Sequence, residues 1–211
     1  GDIIEKINGQ SIEGLKVNDV VKKISGPSES QVTLTVRHVT GEEQTLTMTR
    51  QEIVVPTVKG YDRNKDNSWD YFISNEPKIG YIRITQFTPD TFNELKNALV
   101  GSGADLNDPK TYKGMMGNGM KALILDLRYN PGGRLDEAIK VVDLFIDKGV
   151  IVSTKGRSRP ETKVEATAPG TLPYFPMVVL VNEHSASAAE IVSGSLMDNK
   201  RALVMGTRSY G

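Results

Sequence analysis

The sequence contains no cysteine among its 211 residues and only two histidines, His38 and His184. The lack of cysteine excludes a thiolate nucleophile, a zinc–thiolate centre and disulfide bridges, and it fits an oxidising or a reducing compartment equally well. A Ser-His-acid triad would have to use one of the two histidines. His184 lies one residue before Ser185, which is poor geometry for a base that must approach the hydroxyl from across a cleft. We therefore expect no histidine base.

An excess of charge of one sign is also lacking, as are long apolar runs. Lysine plus arginine and aspartate plus glutamate number 26 each, so no overall field attracts nucleic acid or an anionic membrane. No apolar run approaches the roughly 20 residues of a membrane helix. The first residues do not form a signal peptide. The length predicts one or two modest domains, and nucleic acid is excluded as a partner.

One short segment imitates a calcium loop. Residues 62–67 place side-chain oxygens at alternate positions, but the sixth residue is Asn67 instead of glycine and the twelfth is Ile73 instead of glutamate. An EF-hand loop requires both. We interpret the segment as a polar hairpin tip, and we predict neither a metal nor a cofactor for this protein.

The first 50 residues alternate strand and turn signals around one helix. Residues 3–9 end in an Asn-Gly pair, which favours a tight hairpin turn. Residues 17–24 carry apolar side chains at the helical spacing i, i+3, i+4 and i+7, and a Gly-Pro pair follows. Residues 32–36 and 43–48 then predict a second hairpin.

The remainder alternates strands with helices, which predicts an α/β region with a largely parallel central sheet inside a mixed α+β chain. The predicted strands are 78–84, 121–128, 177–182 and 202–205, and the predicted helices are 88–99, 135–146 and 188–196.

Two strand-to-helix turns have compositions suited to chemistry: Asn130-Pro131-Gly132-Gly133 and the run from Ser185 to Ala189. Ligands collect at the carboxyl ends of strands in such sheets, so both turns are expected at one cleft. A serine at a helix N-terminus has free backbone N–H groups beside it that can stabilise an oxyanion. Two simpler interpretations remain: either serine caps the helix, with Glu190 completing a capping box from Ser187, and the glycine pair is only a turn.

Three sequence signatures, the first made of two segments, together resemble a known family. "GDIIEKINGQSIEGL" with "VTLTVRH" resembles the second half of a PDZ domain, and "LILDLRYNPGGRLDEAIKVVDLFI" and "VVLVNEHSASAAEIVSGSLMDNKRALVMG" resemble the carboxyl-terminal processing peptidases, or tail-specific proteases. The resemblance covers nearly the whole chain, in order. It implies a partial PDZ-like domain at residues 1–52 and a serine protease core at 53–211 that is truncated at its C-terminus.

The resemblance also implies roles for the serine run. It assigns the nucleophile to Ser187 and leaves Ser185 as a supporting neighbour. The backbone of Ala188 and of either Gly132 or Gly133 becomes the oxyanion hole, the two glycines remaining unresolved. Asp198 and Glu190 are assigned supporting roles, in which Glu190 orients the loop.

The base in this family is a lysine of lowered pKa, which the resemblance places just after Gly211, beyond the sequence. We interpret Lys200, the nearest lysine downstream of Ser187, as a solvated side chain at a helix end. An α/β hydrolase is rejected because the sequence has no Gly-x-Ser-x-Gly elbow and no downstream histidine. The alternative function is a catalytically inactive, PDZ-containing scaffold that binds peptides.

The resemblance further implies protein or peptide C-terminal tails as substrates. It places the protein outside the cytoplasm, in the periplasm or associated with a membrane through a segment upstream of Gly1. Self-association as a homo-oligomer remains open.

Overall fold

The computed structural model describes residues 1–53, 55–75, 77–156 and 159–211. The chain divides into two compact units, Gly1–Val55 and Pro56–Gly211, whereas the sequence placed the boundary between residues 52 and 53. Val54, at this boundary, lies outside the described residues.

The first unit is a four-stranded antiparallel sheet, in the order β2-β1-β3-β4, with one helix. Its elements are β1 (Ile3–Ile7), β2 (Gln10–Ser11), α1 (Val17–Ile24), β3 (Gln31–Arg37) and β4 (Glu43–Thr49). Asn8 and Gly9 have φ of 49° and 78°, the left-handed conformations that a two-residue hairpin turn requires. Alternate residues of β3 are buried and form a small core with Ile7, so the period-2 pattern sets the buried face of the sheet.

The second unit contains the other strands and helices. Its elements are β5 (Val58–Lys59), β6 (Asp62–Arg63), β7 (Trp69–Asp70), β8 (Phe72–Asn75), β9 (Lys78–Ile84), α2 (Thr91–Val100), β10 (Ala122–Asp126), α3 (Leu135–Asp143), β11 (Val150–Gly156), β12 (Arg159–Glu165), β13 (Met177–Val181), α4 (Ala188–Asp198) and β14 (Leu203–Gly206). No helix among the described residues is long and apolar enough to cross a membrane.

The central sheet of this unit is parallel in its main part, as predicted. The order is β14-β13-β10-β9, with parallel pairing at each step. The short strands β5 and β8 pair antiparallel with β9. The carboxyl ends of β9, β10 and β13 therefore lie side by side at one edge of the sheet.

The core of the second unit explains why these strands are fixed. Leu123 and Leu125 of β10 and Val179 of β13 are at most 1% exposed, and they belong to the same buried cluster as Leu99 and Leu196 of the helices. Burying a side chain of this size contributes about 1.5–3 kcal/mol. The strands and helices on either side of each turn are thus fixed by the buried core, which in turn fixes where the turns lie.

Three details add to or differ from the sequence-based expectations. The helix expected at 135–146 is regular only to Asp143, although the Ile146 N–H still donates to the Val142 carbonyl at 3.2 Å. The antiparallel pair β11–β12 was not expected. The hairpin around residues 62–67 is confirmed, because β6 pairs with β7.

Candidate active site

Ser187 occupies a strained position between β13 and α4. It is the N-cap residue of α4, with φ 54° and ψ −116°, a backbone conformation that residues with a Cβ rarely adopt and that costs of order 1–3 kcal/mol. The residue is exposed. A sharp strand-to-helix turn of this kind lifts the hydroxyl of a nucleophilic serine out of the surrounding backbone.

The Glu190 side chain holds this turn. Its Oε2 accepts a hydrogen bond from the Ser187 N–H at 2.7 Å, which is the Glu190 half of the expected capping box. Among the described residues the Ser187 side chain makes no capping hydrogen bond, so the cap does not compete with the nucleophile interpretation. A cap that fixes the backbone at Ser187 also presents its side chain at the positive end of the helix dipole.

Ser185 uses its hydroxyl for structure. It is completely buried, its Oγ donates to the Leu127 carbonyl at 2.8 Å, and the same oxygen accepts from the Asn182 N–H at 2.9 Å. These bonds join the serine turn to the end of β10. A hydroxyl that is buried and engaged in this way is unavailable as a nucleophile.

The second predicted turn, between β10 and α3, is organised by Asn130. This fully buried side chain donates from Nδ2 to the Ile84 carbonyl at 2.9 Å and accepts from the Gly132 N–H at 2.8 Å. Its backbone carbonyl accepts from the Ala186 N–H at 3.0 Å. Asn130 therefore ties the glycine turn to β9 on one side and to the serine turn on the other.

The glycine turn touches the serine turn at Gly132. Gly132 has φ 97°, and a Cβ atom built on it would lie 2.8 Å from the Ser187 Cβ and 2.9 Å from the Ala188 nitrogen. Real Cβ atoms do not approach other atoms so closely. Glycine is therefore required here both for its positive φ and for the contact between the turns.

The backbone N–H groups distinguish the two candidate glycines. The Gly132 N–H is already bonded to the Asn130 side chain. Within the part of the chain that the structure describes, the N–H groups of Gly133 and Ala188 have no hydrogen-bond acceptor. Ala188 is the first residue of α4, where an N–H has no partner inside the helix. The geometry favours Gly133 and Ala188 as a pair of free donors.

Asp198 and Lys200 lie at the other end of α4. Asp198 is the last helical residue, eleven positions after Ser187, and a helix rises about 1.5 Å per residue, which puts the two roughly 16 Å apart along the axis. Both Asp198 and Lys200 are exposed. In the part of the chain that the structure describes, neither side chain is hydrogen-bonded to Ser187 or Glu190, and the exposure of Lys200 agrees with its interpretation as a solvated side chain.

The two histidines are engaged elsewhere. The His184 ring stacks on the Tyr129 ring, with centroids 5.1 Å apart and planes at 29°, and its side chain is 61% exposed. His38, in the first unit, bonds to Asp2 and Gln44. Among the described residues no histidine is hydrogen-bonded to Ser187.

A polar network lies beneath these turns on β9 and β10. The buried Asp126 carboxylate accepts from the Tyr81 hydroxyl at 2.7 Å and from Arg128 Nη2 at 2.7 Å. Burial alone would raise the pKa of Asp126, but hydrogen bonds from Arg128 and Tyr81 hold it below its usual value. Burial, together with the bond to Asp126, raises the pKa of Tyr81 to about 12.

Sequence reasoning did not identify several residues that shape this site. Asn130 and Asn182 were seen only as parts of motifs, yet their side chains organise both turns: Asn182 Oδ1 accepts from the N–H groups of Tyr129 and His184. Tyr129 has φ 62°. An asparagine at the end of each buried strand was the available signal, because this side chain satisfies the free backbone groups of turns.

An exposed serine on a strained strand-to-helix turn, with the free N–H of Ala188 next to it in the chain and a glycine turn packed against it, is an arrangement suited to a serine peptidase. Residues 78–211 match Peptidase family S41, and residues 1–38 match the PDZ domain. The chain belongs to peptidase family S41, with a PDZ-type region at its N-terminus.

Named relatives agree with this family. The chain is 37% identical over 213 residues to a carboxy-terminal-processing protease of Bartonella bacilliformis, a match that covers all of this chain and 44% of that protein. It is 35% identical over 212 residues to a probable CtpA-like serine protease of Staphylococcus aureus, with 37% of that protein covered. The chain thus spans less than half the length of these curated relatives.

Solved structures show the same fold. The photosystem II D1 C-terminal processing protease matches all of this chain and 52% of its own, with a TM-score of 0.56 and 25% identity. A putative S41 protease from Bacteroides fragilis matches all of this chain and 55% of its own, with a TM-score of 0.51 and 19% identity, which is a likeness of fold.

Proposed function

We propose that this chain carries the nucleophile and the oxyanion hole of a serine endopeptidase that cleaves proteins at or near their C-terminal tails. The base is a lysine that follows Gly211 in the sequence. The observation that carries the proposal is the pairing of an exposed Ser187, at a strained helix N-terminus, with the glycine turn in contact with it.

The proposed reaction has a definite order of events. The Ser187 Oγ attacks the scissile carbonyl carbon, and its proton passes to the neutral lysine amine. The carbonyl oxygen becomes an oxyanion that the Ala188 and Gly133 N–H groups stabilise; a single donor of this kind is worth about 10²–10³ in kcat. The C–N bond breaks, and the lysine gives the proton to the leaving amine. Water then attacks the acyl-enzyme: the lysine takes a proton from the water and gives it to the Ser187 Oγ as the ester bond breaks.

The base must be neutral to accept that proton. An ordinary lysine has a pKa near ~10.4 and is protonated at neutral pH. Burial among apolar groups lowers a lysine pKa by up to ~3–5 units, which would bring it into the working range. The proposal therefore places the lysine in a site shielded from water beside Ser187.

The names of the relatives and the PDZ match support the choice of substrate. A carboxy-terminal-processing protease acts on C-termini by name, and PDZ domains bind peptide ends by adding them to a sheet edge. The proposal assigns the same class of substrate to this protein, an unstructured protein tail, and places the reaction outside the cytoplasm.

Three alanine variants of the full-length protein test the proposal, with cleavage of an unstructured peptide bearing an apolar C-terminus as the assay. Ser187→Ala is expected to lower kcat by ~10³-fold or more and to leave thermal unfolding almost unchanged. Ser185→Ala is expected to lose about 1–3 kcal/mol of stability, because buried partners lose their bonds, and to keep more activity per folded molecule. Ser102→Ala, in an exposed loop, is the control.

Cleavage retained by Ser187→Ala would reject the nucleophile. A full-length protein that binds the peptide and does not cleave it would favour the alternative, a peptide-binding scaffold.

A further inference from the structure

The segment that follows β14 returns to the serine turn and is bonded to it at several points. The Tyr210 N–H donates to the Ser185 carbonyl at 3.0 Å, and the Thr207 hydroxyl donates to Glu183 at 3.0 Å. The Thr207 N–H donates to the Val181 carbonyl at 3.3 Å. This segment, residues 207–211, leads directly to the position at which the proposed function places the lysine.

One carboxylate joins this segment to the nucleophile. Glu190 Oε1 accepts from the Ser209 hydroxyl and from the Gly211 N–H, both at 2.8 Å. Glu190 Oε2 accepts from the Ser187 N–H at 2.7 Å. The backbone of the serine and the backbone of the last residue before the proposed base are thus fixed by the two oxygens of a single side chain.

Glu190 is ionised when it makes these bonds. Burial alone would raise its pKa, but the bonds from the Gly211 N–H, the Ser209 hydroxyl and the Ser187 N–H together hold it below the usual value of a glutamate. An ionised carboxylate makes hydrogen bonds roughly twice as strong as a neutral acceptor, so the charge itself strengthens the link.

We propose that Glu190 is a positioning residue that sets where the residue after Gly211 lies relative to the Ser187 hydroxyl, and whose charge tunes the proton affinity of that residue. This inference rests on the proposed function, because it assumes a lysine base after Gly211. It goes beyond the expected orientation of the loop, since it links the two catalytic groups through one side chain.

The two effects of Glu190 oppose one another. Its bonds place the amine, which favours catalysis, since an error of about 1 Å in placement costs ~10²-fold in rate. Its negative charge favours the ammonium form of a nearby lysine, which raises the pKa of the base and works against catalysis. Three donors on the carboxylate disperse that charge and limit the penalty.

Because the two effects are opposed, a variant without the charge should change both kcat and its pH dependence, whereas a purely structural role of Glu190 would leave the pH dependence unchanged. Glu190→Gln has the same shape but no charge, and its NH₂ group cannot accept a hydrogen bond. In the full-length protein we expect its kcat to fall by ~10²-fold, with KM nearly unchanged. The acid limb of the kcat–pH profile should move to lower pH, because a lysine without the neighbouring charge deprotonates more readily.

Two further variants separate the effect of the Glu190 charge from the effect of its hydrogen bonds on the position of the base. Glu190→Asp keeps the charge and shortens the side chain, so its kcat should fall without a shift of the acid limb. Glu183→Gln removes the same charge from an exposed glutamate of the same turn, and its amide oxygen can still accept from Thr207. We expect it to match the wild type within about twofold, by the small effects usual for exposed substitutions.

Hydrogen exchange gives a readout that does not depend on activity. In the peptide that contains residues 207–211, the wild-type protein should show protection that falls in Glu190→Gln, most of all at the Gly211 amide, and that Glu183→Gln keeps. Unchanged protection would overturn the positioning role. A kcat loss in Glu190→Gln with an unmoved acid limb would overturn the tuning of the base, and an inactive wild-type enzyme with the exchange effect intact would reject the proposed function while retaining the link between the turns.

Discussion

A Cβ atom on Gly132 would lie 2.8 Å from the Cβ of Ser187. Two turns that are more than fifty residues apart in sequence therefore meet with no room for a side chain between them. The same Cβ would also lie 2.9 Å from the Ala188 nitrogen, one of the two free donors. The contact fixes Ser187 and the free N–H of Ala188 against the glycine turn.

Gly132→Ala should accordingly abolish activity by displacing the serine turn. Its matched control is Gly119→Ala, since Gly119 has φ 84° and nothing within 4 Å of its would-be Cβ. Both variants should lose about 1–3 kcal/mol of unfolding free energy through backbone strain, and Gly132→Ala should lose more because its Cβ would also overlap the serine turn; denaturant titration measures both losses. Only Gly132→Ala should also lose ~10²-fold or more in kcat, and equal activities would show that the close contact is irrelevant to catalysis.

Asn130→Asp should destabilise the protein in a manner that depends on pH. The new carboxylate could still accept from the Gly132 N–H, but it would face the Ile84 carbonyl where Asn130 donates. A buried charge without that partner should cost about 3 kcal/mol or more at pH 7.

The aspartate introduced at position 130 has a pKa raised by burial, so the loss should be full above that pKa and shrink as the pH falls toward about 3.9, the unfolded value. Thermal unfolding between pH 4 and 8 measures it. Asn93→Asp, on the exposed side of α2, should change the stability by less than about 0.5 kcal/mol; a similar loss in both variants would contradict the role of Asn130.

Tyr81 should titrate well above the range of an ordinary tyrosine. Its pKa is raised to about 12 by burial and by the bond to Asp126, against about 10 for the unfolded chain. Its contribution to stability is therefore full below pH 10 and is lost as the pH rises toward 12. The difference in ultraviolet absorbance between the wild type and Tyr81→Phe should grow only near pH 12, and a difference that is complete by pH 10.5 would contradict the prediction.

His184→Gln should retain most of the activity of the full-length enzyme. The imidazole stacks on Tyr129 and is largely exposed. Its removal therefore loses the contact with the Tyr129 ring but does not affect the proposed proton transfer from Ser187 to the lysine. We expect kcat within about threefold of the wild type, as for other exposed side chains. A loss as large as that of Ser187→Ala would instead identify His184 as the base and refute the lysine mechanism.

Elements with strong periodicity could be predicted from the sequence almost to the residue. The helix α1 and the strand β9 have the predicted bounds, Val17–Ile24 and Lys78–Ile84, because both have clear apolar patterns and glycine near their ends. The pair β11–β12 has weak patterning: β11 is exposed from Ser153 onward and β12 contains a proline. Its pairing depends on tertiary contacts, which override local propensity.

The sequence predicted which residues form the candidate site but not the hydrogen bonds that they make. Sequence reasoning left Gly132 and Gly133 as alternatives, because only the side chain of Asn130 reveals which N–H is occupied. It also gave Glu190 a local role, whereas two of its three partners lie some twenty residues further on. Contacts of that range are set by how β13, α4 and β14 pack, which no local pattern contains.

The bond from the Ala186 N–H to the Asn130 carbonyl bears on when the candidate site forms during folding. The serine belongs to the turn after β13, but the glycine turn beside it follows β10, and the two meet only when those strands are paired. Before that pairing, Ser187 lacks the nearby N–H of Gly133 that the proposed oxyanion hole requires. In the proposed mechanism, catalytic activity therefore arises only after strands β10 and β13 have paired.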